Sequence, residues 1–286
     1  MKRILVTLLL MLAFQPFAKD LEAYAIFTAE GKKADITKIM KAADDKSHIF
    51  FGELHNSAIA HWLQFELTKR LYAVNKRRLV LGAEMFEADN QYIIDEYLKG
   101  QISAKSFQDE VRLWPNYNTD YKPLMEFAKE KGIPFIATNI PRRYASMVYK
   151  QNIDSLKGLS DMAKSFIAPL STFRFDTSVA CYGKMVTDFG DHGGMQIAQA
   201  QAMKDATMAH FIQKNSTKRT VFLHYNGAYH SDNKQGIIHY LKEFIDLDKI
   251  LTLSTVTQEK VDKLDDANKG LADFIICVPE SFTNTH

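Results

Sequence analysis

The sequence predicts an α/β protein, a mostly parallel sheet flanked by helices with a helical lobe inserted over it. Two observations carry this. Apolar runs of strand length recur at 48–51, 79–83, 134–137, 219–224, 250–253 and 273–278, and helical periodicity fills most of the gaps between them. One interval breaks the rhythm, because roughly 80 residues separate Ala137 from Arg219, too many for a single crossover.

Taken in chain order, residues 24–28 read as an edge strand and 36–43 as a helix. The segment 59–72 is the clearest helix, with Ile59, Trp62, Leu63, Phe65, Leu67 and Leu71 forming a broad apolar face beside Gln64, Glu66, Lys69 and Arg70. The run Trp114-Pro115-Asn116-Tyr117-Asn118 is irregular and rich in aromatic and amide groups. The lobe, about 141–215, holds a helix starting near Pro141, another at 161–166, a loop at 169–180 and a long helix at about 195–213. No repeat or glycine-rich linker interrupts the chain, so residues 19–286 read as one domain carrying a lobe.

At the start, Lys2 and Arg3 precede the apolar run 4–14, followed by Gln15-Pro16-Phe17-Ala18 and the charged Lys19-Asp20. This is the layout of a secretory signal, expected at residues 1–18, and it implies an exported protein, periplasmic or secreted. No cysteine lies near the junction to carry a lipid, and no later run approaches the roughly 20 apolar residues of a membrane span. Lys2 and Arg3 account for the whole surplus of +2, so the mature chain is neutral. Binding to nucleic acid through phosphate contacts is thereby disfavoured. Cys181 and Cys277 are too few for a disulfide scaffold.

In open parallel sheets, ligands bind beyond the carboxyl ends of the strands, and the residues that follow the apolar runs are chemically rich here. They are Gly52-Glu53-Leu54-His55-Asn56, Ala83-Glu84-Met85-Phe86-Glu87, Thr138-Asn139-Ile140-Pro141-Arg142-Arg143 and His224-Tyr225-Asn226-Gly227-Ala228-Tyr229-His230. Two of these share the spacing Gly-x-x-His, which a glycine permits by letting the chain leave its strand tightly. His55, His230 and a carboxylate, Glu53 or Glu84, supply three ligands for a divalent metal, with His224, Asn139 and Asn226 placed to support them. Helix capping and salt bridges are the structural alternatives for the same residues.

These segments resemble the ordered motifs of the ChaN-like haem-binding proteins. The resemblance rests on Gly52-Glu53-Leu54-His55-Asn56, Glu84 to Glu87, Tyr121-Lys122-Pro123-Leu124, Asn139-Ile140-Pro141-Arg142, Asp205-Ala206-Thr207-Met208-Ala209 and Gly227 to His230, and runs from about Ile49 to Tyr240. It implies noncovalent haem binding by an exported protein of haem or iron uptake, possible as a homodimer. Haem requires an apolar slot, an axial His or Tyr and cations for its propionates. The lobe offers Phe166, Phe173, Phe175, Phe189 and Met195 as walls, Tyr182 or His192 as axial ligand, and Arg142, Arg143 or Arg174 as cations. The wider Tiki group contains proteases, which implies the alternative of a metal-dependent hydrolase. There His55, Glu84 and His230 hold the metal and Glu53 acts as general base.

Overall fold

The computed structural model describes residues 21–285, and the leader expected at residues 1–18 lies outside them. Eight strands form one sheet: β1 (Ala25–Thr28), β2 (Lys33–Ala34), β3 (His48–Glu53), β4 (Leu79–Glu87), β5 (Phe135–Asn139), β6 (Val221–Gly227), β7 (Ile250–Gln258) and β8 (Phe274–Pro279). Their order is β2-β1-β8-β7-β3-β6-β4-β5. Strands β3 to β8 are mutually parallel, and only β1 runs antiparallel to its neighbours β8 and β2. Runs such as Ile49-Phe50-Phe51 are apolar on both sides because both faces of the sheet are covered.

One face is covered by α1 (Ile36–Ala43), α2 (Ala58–Asn75), α3 (Gln91–Leu98), α4 (Ala104–Glu110) and α5 (Lys122–Lys131). Leu63, Leu67, Ile94, Phe107 and Met125 from these helices pack on Phe51, Leu81, Leu223 and Tyr225. The segment from 141 to 215 forms α6 (Arg142–Lys150), α7 (Asp161–Lys164), α8 (Ala180–Phe189) and α9 (Gly194–Lys214), and α10 (Ile237–Leu241) follows β6. On this second face Met208, Phe211 and Ile212 of α9, with Ile237, Ile238 and Leu241 of α10, bury Phe50, Phe222 and Ile250. Each such side chain contributes about 1.5–3 kcal/mol on leaving water. Among the described residues no helix is long and apolar enough to cross a membrane. Both cysteines are free thiols.

The topology itself places the cleft. Adjacent parallel strands β3 and β6 send the chain to opposite faces, β3 to α2 and β6 to α10, so a crevice opens where their carboxyl ends diverge. α9 runs antiparallel to the strands. Its last turns lie over Phe222 and Ile250 near the strand starts, while Asp205 reaches the strand ends at His230. The eleven residues from Gly194 to Lys204, about 16 Å of helix, therefore run on past the strand ends, with α8 packed beside them.

Two differences from the sequence reading matter. Glu53, Glu84, Asn226 and Gly227 belong to strands, since β3, β4 and β6 run on past the apolar residues. Their polar side chains find partners within the protein, so the ladder continues without leaving them bare. Helix α8 was not foreseen, because Gly183 and Gly190 interrupt the helical pattern in its sequence.

Candidate functional site

At the crevice two carboxylate–imidazole assemblies meet, one from each face of the sheet. On the α2 face, the fully buried Glu53 carboxylate accepts from Tyr121 Oη at 2.7 Å, from Gln64 Nε2, and from His55 Nδ1 at 2.9 Å. A carboxylate that accepts a hydrogen bond from Nδ1–H fixes the imidazole and leaves Nε2 as its unpaired nitrogen. The ring of His55, 38% exposed, stands edge-on to Trp114 with centroids 4.8 Å apart. Its backbone carbonyl accepts from Asn116 Nδ2 at 3.0 Å and His61 Nε2 at 3.1 Å, which pins the loop. Burial opposes charge on His55, but the Glu53 hydrogen bond and the nearby Glu84 outweigh it, and its pKa is raised.

On the α9 face, His230 lies between two carboxylates. Its Nε2 is 3.1 Å from Glu84 Oε1, and its Nδ1 bonds Asp205 Oδ1. Burial alone would lower it, but Glu84 and Asp205 together push its pKa up to about 10, so it is an imidazolium at neutral pH. Burial likewise acts to raise Glu84. The adjacent His230 charge, the His55 ring and the Gly227 N–H, which donates to Oε2 at 2.8 Å, outweigh it and hold Glu84 well below the usual carboxylate range.

The two Gly-x-x-His glycines have a use other than a turn. Neither has a positive φ. A Cβ on Gly227 would lie 2.7 Å from His55 Nε2, and one on Gly52 would lie 2.8 Å from the Cα of Ala228. Both let the strand ends approach closely, and the first keeps room for the imidazole. The resulting cleft, about 430 Å3, is lined by Glu53, His55, Gly227, Tyr229 and His230.

The remaining expected residues are distributed around it. His224 is fully buried behind the cleft between Thr138 Oγ1, at 2.8 Å, and Asn226 Oδ1, at 3.0 Å, and burial lowers its pKa to about 4. Asn139 donates to the Glu84 carbonyl at 2.9 Å. Tyr182, expected as an axial ligand, is fully buried and donates its hydroxyl to Asp205 Oδ2 at 2.8 Å, so it braces that carboxylate and faces no open surface. His192 is exposed in the turn between α8 and α9, beside the exposed Phe189 and Met195. Arg143 is paired with Asp89, whereas Arg142 is exposed in the first turn of α6. His55, Glu84 and His230 come together as a cluster, but among the described residues no three His, Cys, Asp or Glu groups are arranged to hold a metal ion.

Sequence reasoning missed Asp205, Tyr121 and Gln64. Asp205 and Tyr121 sit inside segments that resemble family motifs, yet nothing in their spacing assigns them partners, which come from strands and helices far away in the chain.

Residues 39–241 match the family described as haem-binding uptake, Tiki superfamily, ChaN. Among solved structures, ChaN of Campylobacter jejuni, described for its cofacial haem binding, matches with a TM-score of 0.66 at 16% identity, over 88% of this chain and 96% of that one. A Bacillus cereus protein matches with a TM-score of 0.50 at 11% identity, over 86% and 92%. The chloroplastic protein RETICULATA-RELATED 5 of Arabidopsis thaliana is 23% identical over 147 residues, 48% of this chain and 20% of that protein, so the chain spans about a fifth of that relative's length. The structural likenesses carry the fold, and the family match covers most of the chain: it belongs to the ChaN family of haem-binding uptake proteins in the Tiki superfamily.

Proposed function

We propose that the protein binds haem in the strand-end cleft, on the exported side of a membrane, as part of haem or iron uptake. The observation that carries the reading is the open Nε2 of His55, in a cleft, on a ring fixed through Nδ1 by a buried carboxylate. The surroundings fit the group. Trp114 and Tyr229 offer aromatic flanks, and the tip of the α8–α9 hairpin offers exposed Phe189, His192 and Met195. Arg142 is the exposed cation for a propionate. In this reading His55 ligates the iron through Nε2, and His192 is the second candidate. A bound haem supplies iron with its own redox and ligand chemistry, and the chain's residues hold and shield it.

The exposed apolar tip also suits a second copy of the chain. Cofacial haem binding, described for the Campylobacter jejuni protein, is the arrangement we infer for such a homodimer. The metal-dependent hydrolase is the second reading, favoured by the meeting of His55, Glu84 and His230 with Glu53 nearby. It requires His230 to surrender a proton that two carboxylates hold, which makes it the weaker of the two.

Titration of the purified protein with hemin tests the choice. A saturable Soret band is expected, shifted in position in His55→Ala and unchanged in Tyr182→Phe. An unaltered band in His55→Ala removes the ligand assignment. About one tightly held divalent metal per chain, with no hemin binding, favours the hydrolase.

A further inference from the structure

The two donors that hold the His55 carbonyl, Asn116 Nδ2 and His61 Nε2, also meet at a carboxylate. Asp120 is buried in the wide helical turn 117–121 that leads into α5. Its Oδ2 lies 2.7 Å from Asn116 Nδ2 and 3.3 Å from His61 Nε2. A third donor to the same oxygen is Thr285 Oγ1, at 2.9 Å. Asn116 keeps its orientation although its Oδ1 is buried without a donor among the described residues. Reversing the amide would turn that oxygen onto the Asp120 carboxylate and the His55 carbonyl, acceptor against acceptor.

Thr285 reaches this carboxylate from the surface. Beyond β8 the chain turns back, with Phe282 N–H donating to the Pro279 carbonyl at 3.0 Å, and Asn284 pairs antiparallel with Ser57. Thr285 N–H donates to the Asn56 carbonyl at 2.9 Å, so the segment lies along the loop that carries His55. Residues 281–284 are exposed, and a cavity of about 340 Å3 is bordered by Leu54, Asn56, Ser57, Phe282 and Asn284. An exposed segment tied by local hydrogen bonds belongs to the low-stability end of a fold, and the cavity leaves the neighbouring loop room to shift. We propose that Asp120 and Thr285 are positioning residues for His55, and that residues 282–285 form a latch whose release frees the 54–57 loop and loosens the cleft's hold on its ligand. Thr285 completes the donors that fix Asp120, and Asp120 fixes the two donors at the His55 carbonyl. The effect on a ligand rests on the haem reading of the cleft, whereas the effect on the loop does not.

Loop and ligand are read separately, on the full chain. Without hemin, hydrogen exchange at the amides of 54–60 is expected to quicken about fivefold in Thr285→Val, the loss of one hydrogen bond, and to stay unchanged in the sheet. Thr285→Ser keeps the hydroxyl and is expected to exchange as wild type does. With hemin, dissociation into excess apomyoglobin is expected to be about fivefold faster in Thr285→Val and unaltered in Thr285→Ser, at a temperature where melts show both variants folded. In an Asp120→Asn background the Thr285→Val effect is expected to shrink, because the two residues act as one. Equal exchange at 54–60 in wild type and Thr285→Val overturns the latch, whether or not hemin binds. Fully additive effects of the two substitutions overturn Asp120 as the latch's target. Quickened exchange with unchanged hemin dissociation keeps the latch on the loop and removes the reading of His55 as the haem ligand.

Discussion

His55 and His230 share the spacing Gly-x-x-His, yet they occupy different states. His230 is clamped as a cation between Glu84 and Asp205, while His55 has one nitrogen fixed and one open. Spacing alone does not distinguish them, because the distinction comes from Asp205 on a distant helix. Gly227 lies between the two rings' loops and is the residue through which the difference can be tested. In Gly227→Ala the new methyl would start 2.7 Å from His55 Nε2, so the imidazole must swing away from its place beside Glu53. The expected cost is about 1–3 kcal/mol of stability. Hemin affinity is expected to fall at least tenfold, measured by Soret titration alongside a melt. Retained affinity would show that the open nitrogen is not what the ligand uses.

The element that shapes the cleft most is the α8–α9 hairpin, and it is the one least legible in the sequence. The long helix is visible from its apolar spacing, but α8 carries Gly183 and ends at Gly190, so residues 181–194 show no helical pattern in the sequence. Its packing becomes apparent only when Tyr182 is seen enclosed with Ala198 and Ala202. The corner is tight: Gly193 has φ +89°, and a Cβ on Gly194 would meet Val186 O at 2.6 Å. Gly194→Ala is therefore expected to splay the hairpin at a cost of about 1–3 kcal/mol. Hydrogen exchange should quicken in residues 182–200 and stay unchanged in the sheet. Uniform protection throughout would mean that the corner accommodates the methyl and is not a rigid wall.

At the scale of the molecule, the parallel sheet is readable because strands buried on both faces are apolar in long runs, as at 49–51 and 274–278. The strand ends were less readable, since buried Glu53 and Glu84 look like loop residues until their partners are known. The buried histidines give the whole fold a pH dependence. Burial lowers His48 and His224 to about 4, against 6.5 for a free ring. Each contributes fully above pH 6.5, and the contribution is lost as pH falls from 6.5 to 4, on the order of 3 kcal/mol per ring. The urea midpoint should therefore drop between pH 7 and pH 4.5, and less steeply in His48→Gln. Parallel slopes for wild type and variant would remove His48 from the account. A last consequence follows from the pairing of Glu53 with Gly227 across β3 and β6. The cleft joins the early part of the chain to a segment synthesised much later, so it does not exist in any partly made or unfolded polypeptide. A chain threaded through a membrane unfolded would cross empty, and it would gain its cargo only after folding on the far side.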